Sequence, residues 1–280
     1  MADLTVLLDG LHFPEGPRWH DGRLWFSDFY AHEVVAVDMQ GRRETIVTVP
    51  QQPSGLGWLP DGRLLVVSMK DRKVMRLDPD GLKVHADLWD LAAFNCNDMV
   101  VDADGRAYVG NFGFNHYVDE KPKTAILIRV DPDGSASVAA DGFRFPNGTV
   151  ITPDGGTLVI GETRGKVLTA FDRAPDGSLS NRRVWADLGE NYPDGICLDA
   201  EGAIWVADPR NNVVIRVREG GGVTDTVSTG DLGAFACMLG GEDRRTLFVC
   251  TAKMSGPGAA EIRSGRIEQI RVDVPGAGMP

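Results

Sequence analysis

Apolar residues in this chain come in short β-branched and aromatic runs, each closed by a polar turn. One turn-and-run pair recurs six times. It reads Asp21-Gly-Arg-Leu-Trp-Phe-Ser, Asp61-Gly-Arg-Leu-Leu-Val-Val, Asp104-Gly-Arg-Ala-Tyr-Val-Gly, Asp154-Gly-Gly-Thr-Leu-Val-Ile, Glu201-Gly-Ala-Ile-Trp-Val-Ala and Asp243-Arg-Arg-Thr-Leu-Phe-Val. The copies start 40 to 50 residues apart, the period of a propeller blade rather than of a short solenoid repeat. Each copy subdivides further. In the second, runs at 56–59 and 64–68 flank Pro60-Asp61-Gly62, and runs at 74–77 and 83–86 flank Asp78-Pro79-Asp80-Gly81. Such runs between Asp-Gly and Pro-Asp turns predict hairpins, four strands to a copy. No stretch sustains a helical period.

Six four-stranded units predict an all-β fold, a six-bladed β-propeller whose closure leaves only protected edges. The last copy has runs at 247–250, 261–263 and 267–272 and then lacks an outermost strand. The N-terminus has one to spare. Residues 5–11 precede Pro14-Glu15 as residues 137–143 precede Pro146-Asn147. The pattern therefore predicts that residues near 4–9 complete the last blade and clasp the ring. With no linker in view, residues 1–280 read as a single propeller domain.

The first strand of a blade lines the central channel. Ser54, Asn97, Asn147, Asp194 and Ala236 each stand seven residues before their turn residue, and Glu15 stands six before Asp21. One such Pro-x-Gly motif alone reads as a turn. Six positions in register, two of them carboxylates and two amides, predict a convergent site at one end of the channel. Two carboxylates held together repel and raise each other's proton affinity unless a cation bridges them. Glu15, Asn147, Asp194 and Asn97 offer hard oxygen ligands to one divalent ion: Ca²⁺ first, with Zn²⁺, Mn²⁺ or Mg²⁺ as the other choices.

Composition narrows the partners. The chain has 280 residues and a formal net charge of −11, and its basic residues form no cluster. That argues against nucleic acid and anionic membranes, and leaves a small-molecule substrate as the expected partner. A monomer or weak homo-oligomer is expected. The N-terminal stretch has no basic segment leading into a long apolar one, so no signal peptide is expected. Cys96, Cys197, Cys237 and Cys250 show no paired spacing and read as buried thiols of a cytoplasmic protein.

Four motifs, Pro14-Glu15-Gly16-Pro17, Asn97-Asp98, Pro146-Asn147-Gly148 and Pro193-Asp194-Gly195, follow one another at blade spacing. With them the chain resembles the SMP-30/gluconolactonase/luciferin-regenerating-enzyme family of six-bladed propellers over essentially its whole length. The resemblance implies a divalent metal held by Glu15, Asn147 and Asp194, with Asn97 at the metal or the substrate. It implies lactone hydrolysis, with Asp194 as catalytic acid-base. The sugar-lactone members carry an arginine where this chain has Asn95, so the preference for sugars does not carry over.

The expected enzyme is therefore a metal-dependent lactonase, in which the ion polarises the lactone carbonyl and Asp194 moves the protons. The same face carries Phe29, Tyr30, Phe112, Phe114, Tyr117, Tyr192 and Met254. With Asn95 and Asn97, Phe112, Phe114 and Tyr117 are the expected substrate contacts, for a less hydroxylated substrate than gluconolactone. Asn111, Glu162 and Asp208 are candidates for orienting ligands or water. His116 reads as a surface loop histidine, and Cys96 as a buried thiol rather than a nucleophile. Two alternatives stay open. One is an isomerase, lyase or phosphoester hydrolase on the same site. The other is a binding module with a structural metal.

Overall fold

The computed structural model describes residues 4–278. Met1–Asp3, part of the stretch read for a signal peptide, lie outside them. Strand β1 (Thr5–Leu11) comes first and belongs to the end of the molecule. Blade 1 follows as β2 (Pro14–His20), β3 (Arg23–Asp28), β4 (Glu33–Val37) and β5 (Arg43–Thr48). Blade 2 is β6 (Pro53–Trp58), β7 (Leu64–Ser68), β8 (Lys73–Asp78) and β9 (Gly81–Asp87), and blade 3 is β10 (Cys96–Val101), β11 (Ala107–Asn111), β12 (Ala125–Val130) and β13 (Ala136–Phe143). Blade 4 is β14 (Pro146–Ile151), β15 (Thr157–Glu162), β16 (Val167–Arg173) and β17 (Leu179–Asp187). Blade 5 is β18 (Ile196–Leu198), β19 (Ile204–Asp208), β20 (Val213–Val217) and β21 (Val223–Ser228). Blade 6 has β22 (Gly233–Gly240), β23 (Thr246–Ala252) and β24 (Gly265–Arg271).

Every sheet is antiparallel and four-stranded, and the innermost strands touch in ring order β2, β6, β10, β14, β18, β22 and back to β2. The fold is the six-bladed propeller that the sequence pattern predicts. Blade 6 takes its fourth strand from the N-terminus. β1 pairs with β24 from Thr5↔Gln269 to Leu11↔Gly265, two residues beyond the predicted clasp. The run at 261–263 is not a strand. It follows a single 3₁₀ turn, Pro257–Ala260, in the connection between β23 and β24. No helix among the described residues is long and apolar enough to cross a membrane.

The core lies between blades, where the apolar faces of neighbouring sheets stack. At the seam Trp19 of blade 1 stacks on Phe248 of blade 6, with ring centroids 5.5 Å apart. Leu11, Phe26 and Ile267 complete that cluster. The four cysteines are buried and free.

The clasp is testable by stability. Leu11 is 1 % exposed and Val6 is 48 % exposed. Leu11→Ala is expected to cost ~2–5 kcal/mol in urea unfolding. Val6→Ala in the same strand should stay within about 0.5 kcal/mol. Equal effects would mean that β1 packs only by backbone pairing.

Candidate metal centre and active site

Three of the residues predicted to converge, Ser54, Asn97 and Asn147, sit where their innermost strands break register. In β6 the pairing jumps from Pro53↔Ser68 to Leu56↔Val66, leaving Ser54 and Gly55 opposite one residue. The same break follows Cys96 in β10 and Pro146 in β14, and in β2 it comes directly after Glu15. A β-bulge of this kind re-aims a side chain, here toward the axis. Pro53-Ser54-Gly55 and Pro146-Asn147-Gly148 are thus bulged strand starts and not turns, while Pro193-Asp194-Gly195 leads into β18. Their glycines answer to crowding: a Cβ on Gly148 would stand 2.4 Å from the Ile196 nitrogen, and one on Gly195 would stand 2.4 Å from the Ala236 Cβ. Neighbouring blades bond across this contact, Gly148 N donating to Asp194 O at 3.1 Å and Gly195 N to Phe235 O at 2.8 Å.

Glu15, Asn97, Asn147 and Asp194 line the floor of one cavity of about 1090 Å³ at the mouth of the channel. Side chains from four blades connect there. Ser54 Oγ donates to Asn97 Oδ1 at 3.5 Å, and Asn97 Nδ2 to Asn147 Oδ1 at 3.1 Å. Asn147 Nδ2 reaches Thr163 Oγ1 at 3.3 Å, and that hydroxyl donates to the Pro193 carbonyl at 2.6 Å. Glu15 Oε2 accepts the Gly16 N–H at 2.9 Å.

A third carboxylate below the floor is neutralised. Arg18 Nη2 stands 2.8 Å from Asp98 Oδ1, and the guanidinium also donates to the Pro17 and Met99 carbonyls. Glu15 and Asp194 form no ion pair among the described residues. Burial, and then the Asp194 charge, hold the Glu15 carboxyl well above its ordinary range. Burial does the same to Asp194, with Asp98 and Asp208 adding to it and a hydrogen bond from Asn147 opposing. Two half-buried carboxylates with raised proton affinity and no cation partner, beside amide oxygens with a lone pair to spare, suit one hard divalent ion. Glu15, Asp194, Asn147 and Asn97 are the side chains that could hold it. The set is two carboxylates and two amides, not three or more acidic, histidine or cysteine groups.

The strand-two ends hold loops rather than the centre. Asp208 accepts the Tyr192, Arg210 and Asn211 N–H groups. Asp28 accepts those of His12 and Phe13. Glu162 takes the Arg144 N–H and the Thr169 hydroxyl and pairs with Arg182, and Asn111 bonds Gly113 and Ile126. Asn111, Glu162 and Asp208 are therefore spoken for as loop anchors and are not on the cavity wall.

Of the expected substrate contacts, Asn97, Phe112 and Tyr117 line the cavity and Asn95 and Phe114 do not. Asn95 lies in the loop before β10, where its carbonyl accepts the Phe112 N–H at 3.1 Å. Phe114 is buried behind the wall, under the Arg164 guanidinium and edge-on to Phe145. Met254 is also outside the lining. Phe13, Phe145 and Phe235 join Phe29, Tyr30 and Tyr192 in it. Phe145 stacks on Phe112 with centroids 4.8 Å apart and holds φ at +65°, a strained value for a side chain this large. Sequence reasoning missed five cations on the rim: Lys123, Arg144, Arg164, Lys166 and Arg210. Their signal was position, since Arg144, Arg164 and Arg210 each stand within three residues of a motif already assigned to this face.

His116 is not a free surface histidine. It packs among Phe94, Phe112, Phe145 and Tyr117 at the cavity wall. Burial, and then the Arg164 charge, push its imidazole down to about 4. The Cys96 thiol is pushed up to about 12 by burial, which removes it as a nucleophile at neutral pH.

Comparison with known proteins agrees with this architecture. Residues 13–253 match the family model described as SMP-30/Gluconolactonase/LRE-like region. A 6-deoxy-6-sulfogluconolactonase of Pseudomonas putida is 25 % identical over 95 % of this chain and 93 % of its own. A pentonolactonase of Haloferax volcanii is 25 % identical over 88 % of this chain and 84 % of its own. Among solved structures, a calcium-binding regucalcin of Agrobacterium tumefaciens superimposes with a TM-score of 0.84 at 22 % identity, covering 100 % of this chain and 96 % of that one.

The wall makes a prediction for His116. Its folded value lies below the unfolded 6.5, so it contributes stability above pH 6.5 that is lost as pH falls toward 4. Nitrogen-detected NMR should show an imidazole that stays neutral from pH 8 to 5 and titrates near 4. Arg164→Gln should move that midpoint upward. An ordinary midpoint near 6.5 would mean that the aromatic wall is open to water.

Proposed function

The chain belongs to the SMP-30/gluconolactonase/LRE-like family, and from that premise we propose that it is a divalent-metal-dependent hydrolase that opens lactones. The observation that carries this reading is the cavity floor. Two half-buried carboxylates, Glu15 and Asp194, lack a cation partner and stand beside the Asn97 and Asn147 amides, under a wall of aromatic rings. The two curated relatives above, each matched along most of both chains, are named as lactonases.

In this reading Glu15, Asn147 and Asp194 hold the ion and Asn97 completes the set or contacts substrate. When bound, the ion supplies a Lewis acid for the ring carbonyl. Asp194 is the acid-base. It takes the proton of the attacking water and returns one to the leaving alkoxide. Ligation and proton transfer then fall to its different oxygens. Asn97, tied to Ser54 and Asn147, holds a polar edge toward the reacting ester. Phe112, Tyr117, Phe29 and Tyr30 exclude water from the ring and favour a body with fewer hydroxyls than gluconolactone.

Hydrolysis of a lactone panel, followed by pH indicator, tests this. Metal-stripped protein should be inactive, and reloading with Ca²⁺, Mn²⁺, Mg²⁺ or Zn²⁺ should restore turnover, with alkyl or aromatic lactones ahead of gluconolactone. Stripping should also lower the melting temperature, because two like charges at the cavity floor lose their bridge. Asp194→Asn should lower kcat by about 10²–10⁴ in metal-loaded, folded protein. Unchanged turnover in that variant would sink the acid-base role. A silent panel with metal firmly bound would turn the reading to a structural ion or to another reaction.

A further inference from the structure

The rim of the cavity is electrostatically opposite to the protein that carries it. Five cations face two carboxylates across this cavity, in a chain whose net charge is −11. Two of the five have partners, Lys123 with Glu120 and Lys166 with Glu190. Arg144, Arg164 and Arg210 form no ion pair among the described residues. Like charges are moreover brought side by side. Arg164 N donates to the Arg144 carbonyl at 3.1 Å, so two arginines leave adjacent chain segments at the same height. Unneutralised, that placement is unfavourable.

The guanidiniums are also braced. Arg164 lies over Phe114 at 4.9 Å and Phe145 at 5.8 Å, and Arg210 over Tyr192 at 4.8 Å, with Lys166 4.6 Å from the same ring. Stacking on a ring takes one face of the guanidinium and leaves its edge, with the N–H donors, for a planar anion. The cations are sectored. Arg144, Arg164, Lys166 and Arg210 come from the connection into blade 4 and from blades 4 and 5, and the rings of Phe29 and Tyr30 come from blade 1, opposite blade 4 in the ring, with Phe13 packed against both.

We propose that the arginines at the rim of blades 4 and 5 select an anionic lactone, one whose ring bears a carboxylate or a comparable acidic oxyanion group. The acidic substituent docks on Arg144, Arg164 and Arg210, the apolar part of the ring lies against Phe13, Phe29 and Tyr30, and the ester reaches the floor between them. This rests on the lactone-hydrolase reading for its chemistry, and on the rim alone for its charge preference.

A matched pair of substrates tests it: a γ-butyrolactone bearing a ring carboxylate, and the corresponding carboxamide. The wild-type protein should prefer the carboxylate in kcat/KM, and the preference should shrink as salt rises. In the double variant Arg144→Gln/Arg164→Gln the ratio of the two kcat/KM values should fall by about tenfold or more. Arg144→Lys/Arg164→Lys, which keeps the charge, should retain part of it. A wild-type ratio near one, or a ratio unmoved by the glutamine variant, overturns the proposal. If neither lactone is opened, the lactonase reading fails and the charge preference is read by calorimetry instead. Tetrahydrofuran carboxylate should then bind more tightly than its carboxamide, and the double glutamine variant should abolish the difference. Equal binding of the two overturns the proposal.

Discussion

Crowding at the axis governs this molecule. Six innermost strands meet there, and at Gly148 and Gly195 the neighbouring backbone comes closer than any Cβ could tolerate. Several of these strands bulge there. In blades 2, 3 and 4 the bulge takes Ser54, Asn97 and Asn147 out of regular pairing, while Glu15 stands just before the break in β2 and Asp194 precedes β18. Glu15, Asn97, Asn147 and Asp194, far apart in sequence, become neighbours through the same crowding that closes the ring. The bonds from Gly148 to Asp194 and from Gly195 to Phe235 tie floor and closure into one contact.

Electrostatics then sorts the charges into layers. Deepest is the Arg18–Asp98 pair, a neutral unit that supports the floor. Above it lie two carboxylates that burial drives toward protonation. At the rim, guanidiniums rest on aromatic faces. A substrate entering this gradient meets positive charge first and the reacting groups last. Orientation is thereby a property of the layering and not of any single contact.

The six-fold turn-and-run pattern made the fold legible, because a 40–50-residue period of strand pairs has one economical closed solution. The clasp was legible too, since one blade was a strand short and the N-terminus had an extra one. Register carried the floor residues to the same cavity, including Glu15, whose shorter spacing matches a bulge displaced by one residue. What register could not carry was the wall. Asn95 and Phe114 sit beside motif residues in sequence, yet loop backbone turns them away from the cavity. His116 looked like a surface residue because its aromatic neighbours come from three different loops. Asn111, Glu162 and Asp208 looked like site polar groups because an acid at a strand end gives no sign that it is already committed to nearby N–H groups. The rim arginines were hidden by a whole-chain charge of −11, which says nothing about where the positive residues gather.

Closing the ring by pairing Thr5 with Gln269 has a consequence for how the molecule forms. Five blades are built from contiguous sequence and can assemble as the chain emerges from the ribosome. The sixth cannot, because two strands nearly the whole chain apart must find each other. Loop-closure entropy falls on that step, and contacts of such separation are slow to form. Until it happens, β1 has no partner and blade 6 shows an unpaired edge, the kind of surface on which chains associate wrongly. Pairing of the strand that completes the sixth blade is also the last and most vulnerable folding event.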